Sequence, residues 1–252
     1  MPFLTVGGEP LDRVPLLYRM GRDFQVTEGF GWLDPRDVAT IIPVPAHDTT
    51  QPPRVGNSTD FASVPPFLWG LIASYGKQTL PAILHDHLAY GATIAPVAER
   101  LALRKTADEV FRIALIDSGV NRLRARVMWA AVGIERYARH AGGLGILLIA
   151  QFVLGVTAVI ASVVLGIVAS PLWLLLALAP GIAAIPWWRN ADLMIVLCYV
   201  GALYAPLVIA AFVAARLEQL LATVVWLFDG CPGSMPRAEP TLRWPTRAEQ
   251  LG

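Results

Sequence analysis

The pattern of hydrophobic and polar residues divides the chain into three successive parts. Residues 1–66 are rich in glycine, proline and aspartate, and their short apolar runs, such as residues 24–26 and 39–44, are typical of strands between turns. Residues 67–140 place apolar side chains at helical spacing. The rest is almost continuously apolar until a polar, proline-rich tail begins at Asp229. The pattern predicts a small β-rich region, then helices, then a hydrophobic region.

The helical part is predicted to begin with a short apolar turn or helix at residues 67–72. The first full helix covers residues 78 to about 90, with Pro81 in its first turn, where proline is tolerated, and Gly91 at its end. The next helix is predicted to begin at residues 106–109, where a threonine hydroxyl and a glutamate carboxylate fit a capping box.

A third helix is predicted over residues 122–139. Its apolar stripe is formed by Leu123, Val127, Ala130, Ala131, Ile134 and Tyr137. The arginines expected to lie largely off this stripe are Arg122, Arg126, Arg136 and Arg139. The pattern fits a basic amphipathic helix beside a membrane, and it fits equally an ordinary surface helix packed on the domain.

Membrane-spanning segments are predicted in the apolar part, since residues 141–188 contain no Asp, Glu, Lys or Arg. Residues 144–168 form an uncharged segment longer than the ~20 residues that span a bilayer core. Residues 193–215 form another, which two charged residues interrupt before a predicted interfacial helix at residues 220–228. The shorter segment 171–186 contains an internal Pro-Gly pair and fits a second span, a kinked span or a re-entrant hairpin.

Basic residues before the first apolar segment predict its orientation. The arginines within about 20 residues of it, the range of the positive-inside rule, are Arg122, Arg124, Arg126, Arg136 and Arg139. They predict that the N-terminal domain is cytoplasmic, on a bacterial inner membrane. The arginines of the tail also favour the cytoplasmic side. Two spans would place the tail on that side and three spans would not, and both counts stay open.

Together these elements predict an α+β fold, with a small β-rich part packed on a helical hairpin and followed by an all-α transmembrane region. The expected divisions are a soluble domain at residues 1–140, a membrane region of two to three spans at residues 141–228, and a flexible tail at residues 229–252. A net charge of +1 gives no field that attracts nucleic acid, so the expected partner is the lipid bilayer. Two cysteines form neither a disulfide framework nor a zinc pattern.

Four ionisable side chains of the domain are candidates for a functional site. His85 and Asp86 are adjacent on a helix, so they diverge by about 100° and face different partners. Asp108 is expected to accept a hydrogen bond from His85, which would fix the imidazole tautomer and make His85 a general base. Asp60 and Asp86 then remain to hold a divalent metal, calcium or magnesium, through oxygen ligands.

Each candidate also has a purely structural interpretation. Asp108 in the first turn of a capped helix would be stabilised by the helix dipole alone. Asp60 lies in a Ser/Thr/Asp turn and would then bond only local backbone amides. His87 is expected to be an exposed or partly buried neighbour, and neither His47 nor His140 has supporting context.

Three motifs around these residues resemble a family of phage and bacterial proteins catalogued as a domain of unknown function, DUF1353. The motifs are Thr59-Asp60-Phe61-Ala62-Ser63-Val64-Pro65, Leu84-His85-Asp86-His87-Leu88 and Ala107-Asp108-Glu109-Val110-Phe111. The resemblance covers roughly residues 15–135 and leaves out the apolar region. Tyr90 stands one place later than the family pattern, and the family name implies no activity.

A weaker resemblance links the same residues to secreted calcium-dependent phospholipases. These enzymes place a His-Asp pair on one helix and a second Asp on an antiparallel helix. The resemblance implies that His85 activates water, Asp86 binds metal and Asp108 orients His85. The chain departs from that family in having neither its disulfides nor a glycine-rich calcium loop.

The leading functional hypothesis is a membrane-anchored, metal-assisted hydrolase of ester-type bonds. The alternative is a non-catalytic, membrane-anchored structural or assembly protein of phage or prophage origin, whose partners would be further copies of the chain or phage and envelope proteins. A transporter is disfavoured, since no ionisable residue lies within the main predicted spans.

Overall fold

The N-terminal part of the computed structural model contains short antiparallel strands. The structure describes residues 2–19, 23–37, 40–61, 76–231, 233 and 235, so the predicted turn or helix at residues 67–72 lies outside the described residues. One sheet has the order β1-β4-β5, formed by Phe3–Thr5, Phe30–Leu33 and Ile41–Val44. A two-stranded sheet is formed by β2, Leu16–Tyr18, and β3, Phe24–Val26. The predicted strands at residues 24–26 and 39–44 are confirmed over their described residues.

The larger sheet packs on two helices and closes the core of the domain. Trp32 of β4 and Val44 of β5 are buried in one cluster with Ile83 and Leu84 of helix α1 and with Val110 of helix α2. Phe30, also buried in this cluster, lies two residues before Trp32 on β4, so the two side chains share the face of the sheet that packs on the helices. The predicted α+β fold is therefore confirmed.

Helices α1 (Thr79–Ile94) and α2 (Val97–Asp117) have different boundaries from those predicted. Helix α1 continues through Gly91 and ends before Pro96, because a helical glycine costs only about 1 kcal/mol whereas a proline excludes helical geometry in the residue before it. Helix α2 starts nine residues before Thr106, so the predicted capping box is wrong. Thr106 lies within the helix and its hydroxyl donates to the Ala102 carbonyl at 3.2 Å. Strong helix formers between Val97 and Thr106 explain the earlier start.

Helix α3 (Arg122–His140) confirms the predicted bounds to within one residue, but its buried face differs. Leu123 of the predicted stripe is 63% exposed, whereas Arg136, expected off the stripe, is 1% exposed. The reason is that α3 is covered on two sides. Its buried residues divide between a cluster with α1 and α2 (Ala125 and Met128) and a cluster with the apolar region (Trp129, Ala130 and Tyr137).

The apolar region begins with helix α4 (Gly143–Val168) and ends with helix α6 (Ala191–Phe228). By length and composition the structure has two helical segments apolar enough to cross a membrane, Gly143–Val168 and Pro171–Phe228. Only 17% of the apolar window of the first and 28% of that of the second is buried, unlike the core helix of a soluble protein, and this indicates membrane association. Helix α6 is continuous, so the charged residues after Ala215 do not end it as predicted.

Residues 171–190, which we call the return segment, run back along α4. They form two 3-10 stretches on either side of the short helix α5 (Ala179–Ala184). Leu174 lies against Gly166, Pro180 against Gly155, and the Ala183 carbonyl accepts from Gln151 at 2.6 Å, so the order along α4 is reversed. Because a 3-10 helix rises about 2.0 Å per residue, this segment reaches nearly as far as the longer α4.

Helix α6 starts beside the domain. Asp192 lies 3.5 Å from Arg126 of α3, and Leu193 packs against Gly133 of the same helix. Helix α6 then passes α4 where Cys198 faces Gly155. The chain thus leaves the domain in α4, returns in the return segment and leaves again in α6.

Candidate functional site

The antiparallel helices α1 and α2 bring His85 and Asp108 together. His85 Nε2 lies 2.9 Å from Asp108 Oδ1, and the two residues are 5% and 0% exposed. The predicted hydrogen bond is therefore present. Because an ionised carboxylate can only accept, Nε2 carries the proton, and in the neutral ring Nδ1 keeps a lone pair. Phe111, one turn after Asp108, packs on the imidazole with ring centroids 4.9 Å apart.

Asp108 has a second buried partner that the sequence reasoning missed. Arg136 of α3 donates from Nη1 to Asp108 Oδ2, and the arginine is 1% exposed. Each oxygen of the carboxylate therefore has its own partner, His85 on one and Arg136 on the other. The spacing of Arg136 from Trp129 and Gly133 was the available signal, because residues three or seven apart share a helix face.

The structural interpretation of Asp108 as a first-turn residue is wrong. Asp108 lies about three turns into α2, well beyond the reach of the helix N-terminus. Its burial is instead explained by charge, since a buried carboxylate requires a counter-ion and hydrogen bonds. Arg136 and His85 supply both.

Asp86 faces away from His85, as predicted, and contacts the loop that follows the strands. The Thr59 hydroxyl donates to Asp86 Oδ2 at 2.6 Å and accepts from the Phe61 N–H at 3.0 Å. Backbone bonds in both directions between Thr59 and Phe24, at 2.8 and 2.9 Å, attach this loop to β3. Phe61 has a φ of 61°, so the chain turns sharply just after Asp60.

Asp60 lies close enough to Asp86 to affect its ionisation. Burial raises the pKa of Asp86 well above its usual range, and repulsion from Asp60 and, to a smaller extent, from Glu135 raises that pKa further. The Thr59 hydrogen bond and Arg104 act in the opposite direction. The two predicted metal ligands, one on a loop and one on α1, therefore lie within electrostatic range of each other.

The residues present fit a cation only in part. Within the described ranges, no group of three or more His, Cys, Asp and Glu side chains is arranged to hold a metal ion. Two carboxylates fall short of the six to eight oxygen ligands that calcium takes, whereas magnesium is commonly held by one or two carboxylates together with water and substrate phosphate. The donor set favours magnesium over calcium.

The remaining histidines lie outside the His85–Asp108 pair. His47 Nδ1 accepts from the Val26 N–H at 2.9 Å, and burial, followed by the nearby His87, lowers its pKa. Burial also lowers the pKa of His87 itself, which is half-buried as expected. Tyr90 lies against Gly56, where φ is 84° and a side chain would collide with the tyrosine ring.

The fold and the site define an α+β domain that buries a His–Asp–Arg constellation between three helices and is joined to apolar helices. Residues 45–132 of this domain match the family described as "Protein of unknown function (DUF1353)". The match includes Asp60, His85, Asp86 and Asp108 and confirms the family resemblance of the N-terminal half. Arg136 and the apolar helices lie beyond it. No curated protein and no solved structure matches the chain.

Proposed function

We propose that the protein is a membrane-anchored hydrolase of ester-type bonds with His85 as its general base. The observation that carries the proposal is the buried bond between His85 Nε2 and Asp108 Oδ1. A histidine whose far nitrogen is held by a carboxylate has a fixed tautomer and presents Nδ1 as the basic atom. Arg136 holds the carboxylate in turn, so Asp108 acts as a positioning residue.

The chemistry follows from these positions. His85 Nδ1 takes a proton from water while the water oxygen attacks the ester carbon or phosphorus, and the bond to the leaving oxygen breaks. The imidazolium then returns the proton to that oxygen, which leaves as an alcohol. Asp108 stabilises the transient positive charge on His85, and Arg136 keeps Asp108 from turning away.

The role of His85 is tested in the full-length protein, reconstituted in lipid, on a panel of fluorogenic carboxylic and phosphoric esters. We expect His85→Gln to lower activity roughly a hundredfold or more, since a general base contributes about 10²–10⁴-fold. His87→Gln, two residues away on the same helix, is the matched control. Because Asp108 keeps Arg136 when His85 is replaced, the fold should survive. Equal loss of activity in both variants, or none in His85→Gln, would contradict the proposal.

Asp60 and Asp86 are proposed to hold a divalent cation beside this base. A bound cation there would polarise the carbonyl or phosphoryl oxygen of the substrate. Titration calorimetry with magnesium and calcium should give saturable binding to the full-length protein and none to Asp86→Ala. Asp48→Ala, which removes an exposed carboxylate of the same domain, is the control. Equal binding by Asp86→Ala would rule out this cation site.

The proposed location is the inner membrane of a bacterium, with the domain in the cytoplasm. Lys105 donates to Asn190 Oδ1 at 3.0 Å and Arg126 pairs with Asp192, so basic side chains of the domain stand at the ends of the apolar segments. Such a distribution is typical of the cytoplasmic side. If α4, the return segment and α6 each cross the bilayer, Cys231 after α6 lies on the side of the membrane opposite the domain.

Thiol labelling tests this topology, because Cys231 is exposed and Cys198 is buried. In intact inverted vesicles an impermeant maleimide should leave Cys231 unmodified, while a cysteine placed at the exposed Arg122 on a Cys231→Ser background should react. Labelling of both sites from one side would instead favour two crossings.

A second candidate function is a structural or assembly protein of phage or prophage origin. The observation that favours it is the Asp108–Arg136 pair, which would hold α2 to α3 whether or not catalysis occurs. Its partners would be further copies of the chain or an envelope or phage protein. Unchanged ester turnover in His85→Gln, together with a defect in assembly of Arg136 variants, would support this function over hydrolysis.

A further inference from the structure

Four basic side chains of α2 and of the end of α3 lie within electrostatic range of one another, and we call them the basic cluster. They are Arg100, Arg104, Arg139 and His140. Two of these arginines share one carboxylate, since Glu135 accepts from Arg104 Nη2 at 3.4 Å and from Arg139 Nε at 3.1 Å. Arg100 donates to the Ala95 carbonyl at 2.8 Å, which brings no negative charge. Glu135 is therefore contacted by two of the three guanidinium groups, and Asp86 is a second carboxylate within electrostatic range of Arg104.

Arg104 shows that this balance is incomplete. The residue is 6% exposed, yet its Nε is buried with no hydrogen-bond partner in the part of the chain that the structure describes. A guanidinium has five N–H donors, and the long contact with Glu135 engages Arg104 weakly. Burial of His140 lowers its pKa, and the charges of Arg104, Arg139 and Arg100 lower it further. The buried Nε of Arg104 and the two guanidinium groups that share Glu135 favour an added anion at this position.

The position of the basic cluster identifies the source of that anion. His140 is the last residue of α3, and the apolar helix α4 begins at Gly143. Lys105, next to Arg104, contacts Asn190, which follows the tryptophans at the end of the return segment. Trp188 is 83% exposed, and tryptophans prefer the level of the lipid headgroups. The basic cluster therefore lies at the height where lipid phosphates are found.

We propose that the basic cluster binds the phosphate of an anionic lipid headgroup. A phosphate presents several oxygens to the paired donors of a guanidinium, so arginine is well matched to it. Basic pockets beside transmembrane helices recognise acidic headgroups through this chemistry. The inference concerns binding and does not rest on hydrolysis, because no bond is broken at the basic cluster.

The test uses the full-length protein released from nanodiscs and observed by native mass spectrometry. The nanodiscs contain equal amounts of phosphatidylcholine and phosphatidylglycerol. We expect the wild type to retain phosphatidylglycerol in clear preference, and Arg104→Gln to reduce that preference roughly tenfold. Arg139→Gln, at a partly exposed position, should reduce it as well. Arg124→Gln, exposed on the same helix as Arg139, should leave the preference unchanged.

The outcomes separate lipid from free phosphate. Equal retention of the two lipids by the wild type, or an equal loss of preference in Arg124→Gln, would overturn the proposal. Displacement of phosphatidylglycerol by millimolar inorganic phosphate would also overturn it, because the site would then take free phosphate. Activity plays no part in the readout, so an inactive protein that prefers phosphatidylglycerol would still support the basic cluster.

Discussion

The N-terminal domain and the apolar region differ in the charged side chains that they bury and in the apolar side chains that they expose. In the domain Ile83 is 1% exposed, and charged groups such as Asp108 and Arg136 are buried in pairs. In α4 the large apolar side chains point outward, with Leu154 at 69% and Ile167 at 80% exposure. A domain folded in water hides apolar surface, whereas helices that face hydrocarbon have no such need. The difference shows that the two regions are built for different solvents.

Helix α3 belongs to both regions and joins them. One side packs on Phe111 and Leu115 of α2, and another packs on Leu193 and Met194 of α6. A Cβ built on Gly145 of α4 would lie 2.2 Å from the Tyr137 carbonyl oxygen, so α3 and α4 approach closely. The candidate site is therefore fixed by a helix that the apolar region also supports.

The largest expected effect comes from breaking the buried pair of the domain. Arg136→Met should lower the free energy of unfolding by about 3–5 kcal/mol, because Asp108 would keep a buried charge without its cation. Arg126→Met, on the same helix, removes a solvent-exposed pair with Asp192 and should cost at most about 1 kcal/mol. Denaturant unfolding of the reconstituted protein, followed by tryptophan fluorescence, measures both.

A double variant shows whether charge or packing causes the loss. Arg136→Met combined with Asp108→Leu removes both charges and should recover much of the stability, since buried pairs are often replaced by apolar residues at little cost. Similar losses of unfolding free energy in Arg136→Met and Arg126→Met would contradict the prediction that the buried ion pair is the more costly one to break.

The stability of the apolar region should depend on side-chain volume, whereas that of the domain depends on buried charge. Gly145→Ala places a methyl group against the Tyr137 backbone and should cost about 1–3 kcal/mol, the usual cost of overpacking. Gly143→Ala, two residues earlier, has no atom within 4 Å of the new methyl group and is the control. Thermal unfolding in detergent distinguishes them. Equal melting temperatures would argue against the close packing of α3 on α4.

Local patterns predicted much of the fold and part of the site. The strands, the bounds of α3 and the long apolar helix α4 depend on periodicity and composition, which a sequence displays directly. The His85–Asp108 bond was predictable because each residue interrupts an apolar helix face. Arg136 was not, because assigning one apolar stripe to α3 assumes one covered side. For the return segment the sequence left a span, a kinked span and a hairpin open, because its length alone did not reveal the 3-10 geometry that covers more distance than an α-helix of equal length.

The smallest expected effect concerns pH and again separates the two regions. Burial lowers the pKa of His47 from 6.5 in the folded domain, so protons bind the unfolded chain more readily. The contribution of neutral His47 to the free energy of unfolding is fully present above about pH 6.5, and it is lost as the pH falls through the lowered pKa of the folded state. His47→Asn keeps an acceptor for the Val26 N–H and should reduce this slope, with His87 and His140, whose pKa values burial also lowers, supplying the remainder. The α4 region has no ionisable group from residue 141 to 188, so its free energy of unfolding should depend little on pH. A slope as steep in His47→Asn as in the wild type would contradict a contribution from His47.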